Sequence, residues 1–356
     1  MPRPMALLEA REQAAAGKMP KAELKALEDR YIRDVVALQE RTGIGAITDG
    51  EYRKRGWREF VFDKCDGFGP ETATRDFPMR LDDGSYAAAI VEPKVTGKIK
   101  RREPLCADDF SALKAMTTRP LKANLPTPSV SHFFTRDAGF DKSAYPDAAA
   151  LMDALAAVTR EEIADLAARG CTYVQMDEVP LAVICDPKNM DFLRTRGDDP
   201  AYLIDLYIDA ISNAIRAKPA DMTVCLHLCR GNFARGMGEG GYEPIAERLF
   251  NRLDVDGFFL EYDTPRAGDF SPLRFMPKSK KAVLGIMSTK LAEVESLDML
   301  KRRVDEAAKF VDPDRICLSP QCGFASVPTR TRPTMALDLA ERKLARLVEA
   351  AEEIWG

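Results

Sequence analysis

His227 and Cys229 lie two residues apart in an apolar run, Met222 to Cys229, that reads as a buried strand ending at Arg230-Gly231-Asn232. Side chains two apart on a strand share a face, so Cys225, His227 and Cys229 point one way and Leu226 and Leu228 the other. An imidazole and a thiolate at that spacing make half of a tetrahedral zinc site. The chain has only two histidines, and one of them stands here. A core strand with inert thiols and a hydrogen-bonded imidazole would show the same residues, because free cysteine is commonly buried.

Other ionisable groups and thiols stand where further apolar runs end. Thr48-Asp49-Gly50-Glu51 closes one run, Gln175-Met176-Asp177-Glu178 another and Glu261 a third; Ser288 and Lys290 follow a fourth, and Cys322 the last. Each has a plain reading taken alone. Asp-Gly is a common turn pair, a carboxylate after a strand often caps the next helix, Lys290 reads as a solvated charge, and Cys322 as a structural thiol. Together they place polar chemistry at strand end after strand end. His227, Cys229 and Cys322 supply one nitrogen and two sulfurs, and Glu261 offers a displaceable fourth ligand for Zn2+. Such a centre binds an incoming thiol, lowers its pKa and keeps it nucleophilic. An exchangeable position marks a catalytic site rather than a structural one.

The elements that must position these groups alternate. Strand candidates are Ile44–Thr48, Leu121–Leu125, Thr172–Met176, Met222–His227, Gly257–Glu261, Ala282–Met287 and Arg315–Ser319. Helical stretches between them include Ala22–Arg41, Ala148–Arg169, Ala201–Ala217, Pro244–Arg252 and Ser296–Phe310. This pattern predicts an α/β fold with a parallel sheet, a (β/α)8 TIM barrel whose first strand is missing or truncated. Residues 60–105 break the alternation. They predict an insertion after the second strand, with a hairpin of Tyr86–Val91 and Lys94–Lys100, inside one domain spanning residues 1–356.

Composition sets the outer limits. Hydrophobic residues make up 46% and charged residues 30% of the 356, normal for a soluble globular chain with a large core. A net charge of −4 without a basic block argues against nucleic acid as a partner. No apolar run reaches the length of a membrane span, and the N-terminal residues lack a signal-peptide core. The expected location is cytoplasmic. There, eight scattered cysteines suggest metal binding or plain burial rather than disulfides.

In the ordered set Thr48-Asp49-Gly50-Glu51, Gln175-Met176-Asp177-Glu178, His227-x-Cys229, Glu261 and Cys322, the chain resembles the cobalamin-independent methionine synthase family. The resemblance is to its catalytic C-terminal barrel, over nearly the whole chain. It implies a zinc-activated thiol, homocysteine, attacking a methyl donor that is a methyl-folate or a methyl-corrinoid protein. It also implies that Glu51 and Asp177, with Asp49 and Ser288 beside them, hold the amino-acid substrate. Three features differ from the family pattern. Only Pro2-Arg3-Pro4 stands where its first strand would end, Met287-Ser288-Thr289-Lys290 lacks the family's histidine, and Val179 separates Glu178 from Pro180. Lys290 and His132, the second histidine, are the residues left to assist catalysis. An epoxyalkane–coenzyme M transferase-like enzyme keeps the zinc and thiol but changes the electrophile. A non-catalytic zinc- or thiol-binding barrel is the reading from another class, and a homodimer is left open.

Overall fold

The computed structural model describes residues 1–74, 91–231, 238–325 and 335–356. Two helices, α1 (Met5–Ala15) and α2 (Lys21–Thr42), open the chain, followed by α3 (Glu59–Lys64) and an antiparallel hairpin of β1 (Cys65–Thr74) and β2 (Val91–Arg101). After α4 (Ala107–Lys114) the alternation begins with β3 (Ala123–Pro126), α5 (Ala148–Ala168) and β4 (Tyr173–Glu178). Helices α6 (Pro180–Ile184), α7 (Pro187–Thr195) and α8 (Pro200–Ile215) lead to β5 (Thr223–Leu228). The chain then runs through α9 (Glu243–Arg252), β6 (Gly257–Glu261), β7 (Lys281–Met287), α10 (Leu297–Ala307), β8 (Ile316–Pro320) and α11 (Leu337–Trp355). Strands β3 to β8 form one parallel sheet in chain order.

Local chemistry starts and stops these elements where the sequence allows. Asp147, Asp199 and Ser296 cap α5, α8 and α10 by accepting a backbone N–H from the first turn. Gly43, at φ 78°, ends α2 in the left-handed conformation. Within the sheet, Val174, Met176, Leu226, Leu228, Phe258, Leu260 and Leu284 are buried against the helices. Each such aliphatic side chain contributes roughly 1.5–3 kcal/mol by leaving water. The alternate residues face the barrel interior. Helix α11 packs on both α10 and α2, so the helical layer meets itself behind the sheet.

The structure differs from the sequence expectation at two places. The expected second strand, Ile44–Thr48, is reduced to a single parallel bridge between Ile47 and Leu121. Among the described residues no strand lies on its other side, so there is no second ladder to hold it extended. Instead, Arg3 reaches across, donating to the carbonyls of Glu51 at 2.7 Å and Ala325 at 3.3 Å. The hairpin's first arm is Cys65–Thr74 rather than Tyr86–Val91, of which residues 86–90 lie outside the described ones. Gly67, Gly69 and Pro70 make that arm read as a loop. Its glycine is demanded by the hairpin, because Gly67 sits at φ 94° and a Cβ there would lie 2.6 Å from the Lys98 carbonyl oxygen.

One carboxylate holds this insertion to the barrel. Glu162 of α5 is fully buried and accepts the backbone N–H groups of Leu105, Cys106 and Ala107 at 2.7–2.8 Å. It also pairs with Arg101 at 2.7 Å, joining the end of β2 to the start of α4. Replacing it leaves three buried donors without their acceptor and Arg101 with Asp165 as its remaining carboxylate partner. Glu162→Ala is expected to lower unfolding stability by about 3 kcal/mol in urea titration. A loss below about 1 kcal/mol would show that this clamp is not holding the insertion.

Candidate metal and substrate site

Strand register decides which side chains meet inside the barrel. Asp177 lies opposite His227, and His227 opposite Phe259, so all three share the interior face. Carried two residues on, the same register sets Cys229 against Glu261, the last residue of β6. Cys229 continues the ladder past β5, donating its N–H to the Glu178 carbonyl at 2.8 Å. Cys322 arrives from beyond β8, where the N–H of Gln321 bonds the Met287 carbonyl at 2.8 Å.

One ligand atom from each of His227, Cys229, Glu261 and Cys322 lies within 4.8 Å of all the others. The two sulfurs are 3.5 Å apart. Two thiolates on a tetrahedral zinc, at Zn–S of about 2.3 Å, stand about 3.8 Å apart. The Nε2 of His227 is buried without a hydrogen-bond partner. Glu261 is fixed from behind, its Oε1 accepting the Arg230 N–H at 2.9 Å and its Oε2 the Arg266 guanidinium at 3.1 Å. Such outer contacts orient a ligating carboxylate. The donor set, its spacing and its support therefore fit zinc.

The electrostatics fit as well. Burial disfavours charge on Glu261, yet Lys290, Arg266 and His227 together hold its carboxyl below the usual range. The hydrogen bond with Cys229 pulls the Cys322 thiol well below its ordinary pKa and pushes that of Cys229 well up, so the pair shares one proton. Burial would lower the His227 pKa, but Cys322, Asp177 and Glu261 raise it to about 9. This pocket attracts a cation, and a metal ion entering it must displace protons.

Beside this cluster, with Asp177 on the strand next to His227, stand the carboxylates expected for an amino-acid substrate. Glu51 and Asp177 are close enough for the charge of Glu51 to raise the Asp177 pKa, after burial as the larger cause. Glu51 has φ 61°, a conformation costly for a residue with a Cβ, next to Gly50 at φ 66°. Burial opposes its charge, and Lys54, Arg3 and the N-terminal amine keep it ionised. Asp177 accepts the Gln175 amide at 2.6 Å.

The remaining expected residues fall elsewhere around the site. Asp49 closes the turn, its Oδ1 accepting the Glu51 N–H at 2.8 Å. Ser288 is turned into its own loop, where its Oγ accepts the Lys290 N–H at 3.3 Å. Lys290 donates its Nζ to the Gly231 carbonyl at 3.3 Å and is the foremost positive neighbour of Glu261. His132 lies apart from the four ligand-type residues. It bonds the Tyr207 hydroxyl at 2.9 Å beside Phe140, and burial lowers its pKa to about 3. The sequence reading did not single out Arg266 or Lys122; the only signal for Lys122 was a charge two residues before Asn124, on the interior period of its strand.

The chain is similar to known proteins over nearly its whole length. The model of the cobalamin-independent synthase catalytic domain matches residues 1–353. YxjG and YxjH of Bacillus subtilis, both uncharacterised, are 35% and 33% identical over 97% and 98% of this chain and 90% of each relative. The methionine synthase of Pyrococcus furiosus is 25% identical over 99% of this chain and 90% of its own. A Listeria monocytogenes structure assigned as a vitamin-B12-independent methionine synthase matches with a TM-score of 0.76 at 28% identity, covering 100% of this chain and 96% of that one. A B12-independent methionine synthase from Shewanella, solved with selenomethionine, shares the fold at a TM-score of 0.72 and 22% identity, covering 95% and 90%.

Behind the site, Glu178 is fully buried and accepts the hydroxyls of Thr127 and Ser129 and the Leu181 N–H, the last at 2.7 Å. Burial outweighs these donors and raises its carboxyl to about 7. A carboxyl raised on folding favours the native state below its unfolded pKa, near 4.5, and loses that advantage as pH rises toward 7. Glu178→Gln is expected to remove this loss, about 3 kcal/mol, so the variant gains on the parent between pH 5 and 8. Parallel stability–pH curves for the two proteins would refute the assignment.

Proposed function

Because the chain belongs to the cobalamin-independent methionine synthase family, through its catalytic domain, we propose that it is a methyltransferase acting on a small thiol. The thiol is homocysteine, the methyl donor a methyl-folate, and the product methionine. The observation that carries this reading is the convergence of His227, Cys229, Glu261 and Cys322 within 4.8 Å, beside the carboxylates of Asp177 and Glu51. A zinc ion held by these four would lower the pKa of the substrate thiol and keep its sulfur nucleophilic.

The chain's own residues do the rest. Glu51 and Asp177 take the α-ammonium of homocysteine, since paired carboxylates in a buried pocket hold a cation strongly. That turns the sulfur toward the ligand-type residues, which begin one strand away from Asp177. Arg266 and the Arg230 N–H keep Glu261 oriented, and Lys290 offsets the negative charge that an incoming sulfur adds. As the S–CH3 bond forms, the bond from the methyl carbon to the donor nitrogen breaks, and the proton given up by the thiol ends on that nitrogen.

His227→Ala and Cys322→Ser are each expected to lose most of their zinc on dialysis against chelator. Methionine formation from homocysteine and methyl-folate should fall at least about a hundredfold in both. Unchanged zinc in both variants would remove the ligand assignment. Zinc-loaded parent protein that makes no methionine from methyl-folate or methylcobalamin would rule out the methionine-forming reaction. Turnover in a panel of other thiols with epoxides would then favour the epoxyalkane-type reaction.

A further inference from the structure

Deep in the barrel, behind the substrate carboxylates, lies an ammonium that the proposed reaction does not use. Lys122 immediately precedes β3, two residues before Asn124, whose register partner is Gln175. Its Nζ donates to Gln175 Oε1 at 2.7 Å and stands 4.8 Å from the ring centre of Phe259. Both partners belong to the interior face. Gln175 in turn donates its Nε2 to Asp177 Oδ1 at 2.6 Å. The other oxygen of Asp177 has only the Asn124 amide, at 3.5 Å.

The direction of this chain of contacts is fixed by chemistry. An ammonium only donates, so the amide must present its oxygen to Lys122 and its NH2 to Asp177. Asp177, which only accepts, selects the NH2 as well, but without the lysine the Gln175 oxygen loses its anchor and the side chain is free to swing its NH2 off the line to the carboxylate. Asp177 would then lose its one short donor and its orientation.

We propose that Lys122 is a positioning residue that acts through Gln175 to aim Asp177 at the substrate's α-ammonium, and so selects thiols that carry one. This rests on the reading of Asp177 as an ammonium site. Lys122 itself need not touch the substrate. Lys122→Met keeps an unbranched stem over Phe259 and removes only the donor; Lys122→Arg restores a donor.

Calorimetry on the zinc-loaded full chain separates the possibilities, using L-homocysteine and 4-mercaptobutanoate, the same thiol acid without its amino group. Lys122→Met is expected to weaken homocysteine roughly tenfold to a hundredfold. Its 4-mercaptobutanoate affinity should stay within about twofold of the parent, and Lys122→Arg should bind both as the parent does. Because Lys122 acts through Gln175, its replacement should have no further effect in a Gln175→Met background. Equal weakening of both thiols, unchanged homocysteine binding, or additive effects in that cycle would each overturn the positioning role. A parent protein that binds 4-mercaptobutanoate as tightly as homocysteine would instead overturn the ammonium site beneath it.

Discussion

The pairing of β5 with β4 on one side and β6 on the other is the constraint from which the site follows. Parallel strands in register put Asp177, His227 and Phe259 on one interior level and carry Cys229 to the level of Glu261. A slip of one residue would turn His227 and Cys229 into the helical layer and bring Leu226 and Leu228 inside. The apolar residues on the outer face, Val224, Leu226 and Leu228, forbid that slip, because they are buried against the helices. Core packing and ligand placement are therefore one decision made by the same strand.

Charge is distributed around that register in a way that separates two tasks. At one end, two thiols, an imidazole and a carboxylate share one volume, while Arg266 and Lys290 act on Glu261. At the other, Glu51 and Asp177 face each other with Lys54 and Arg3 keeping Glu51 ionised. The strained backbone of Glu51 is tolerated because the Asp49 turn and the Arg3 bridge hold it from both sides.

The outer layer contributes through buried polar contacts rather than through the ligands themselves. Lys343 of α11 is fully buried and pairs with Glu295 at 2.8 Å, and Glu295 accepts the Ser288 N–H at 2.7 Å. The loop that carries Lys290 is thus tied to the last helix of the chain. Glu162 does the same for the hairpin insertion, and Glu178 for the loop after β3. Breaking such buried pairs is costly because the surviving partner has no water to turn to.

Much of this was legible in the residue order. Apolar runs ending in His227-x-Cys229, Glu261 and Cys322 named the ligand-type residues, because strand period and hydrophobicity are local properties. The βα alternation likewise announced the parallel sheet and the helices α2, α5, α8, α9 and α10 to within a few residues. The hairpin's first arm was hidden, since Gly67-Phe68-Gly69-Pro70 has the composition of a loop and becomes a strand only against β2. The second strand was overread, because Ile44–Thr48 has the right composition but one neighbour. His132 and Lys122 show the remaining gap. Nothing in sequence says that one histidine is buried against Tyr207 while a lysine enters the barrel, since both facts depend on which distant elements pack beside them. Local pattern determined the residue types and their faces; only the tertiary fold decided which charges meet, because meetings such as that of Glu51 with Asp177 join residues more than a hundred positions apart.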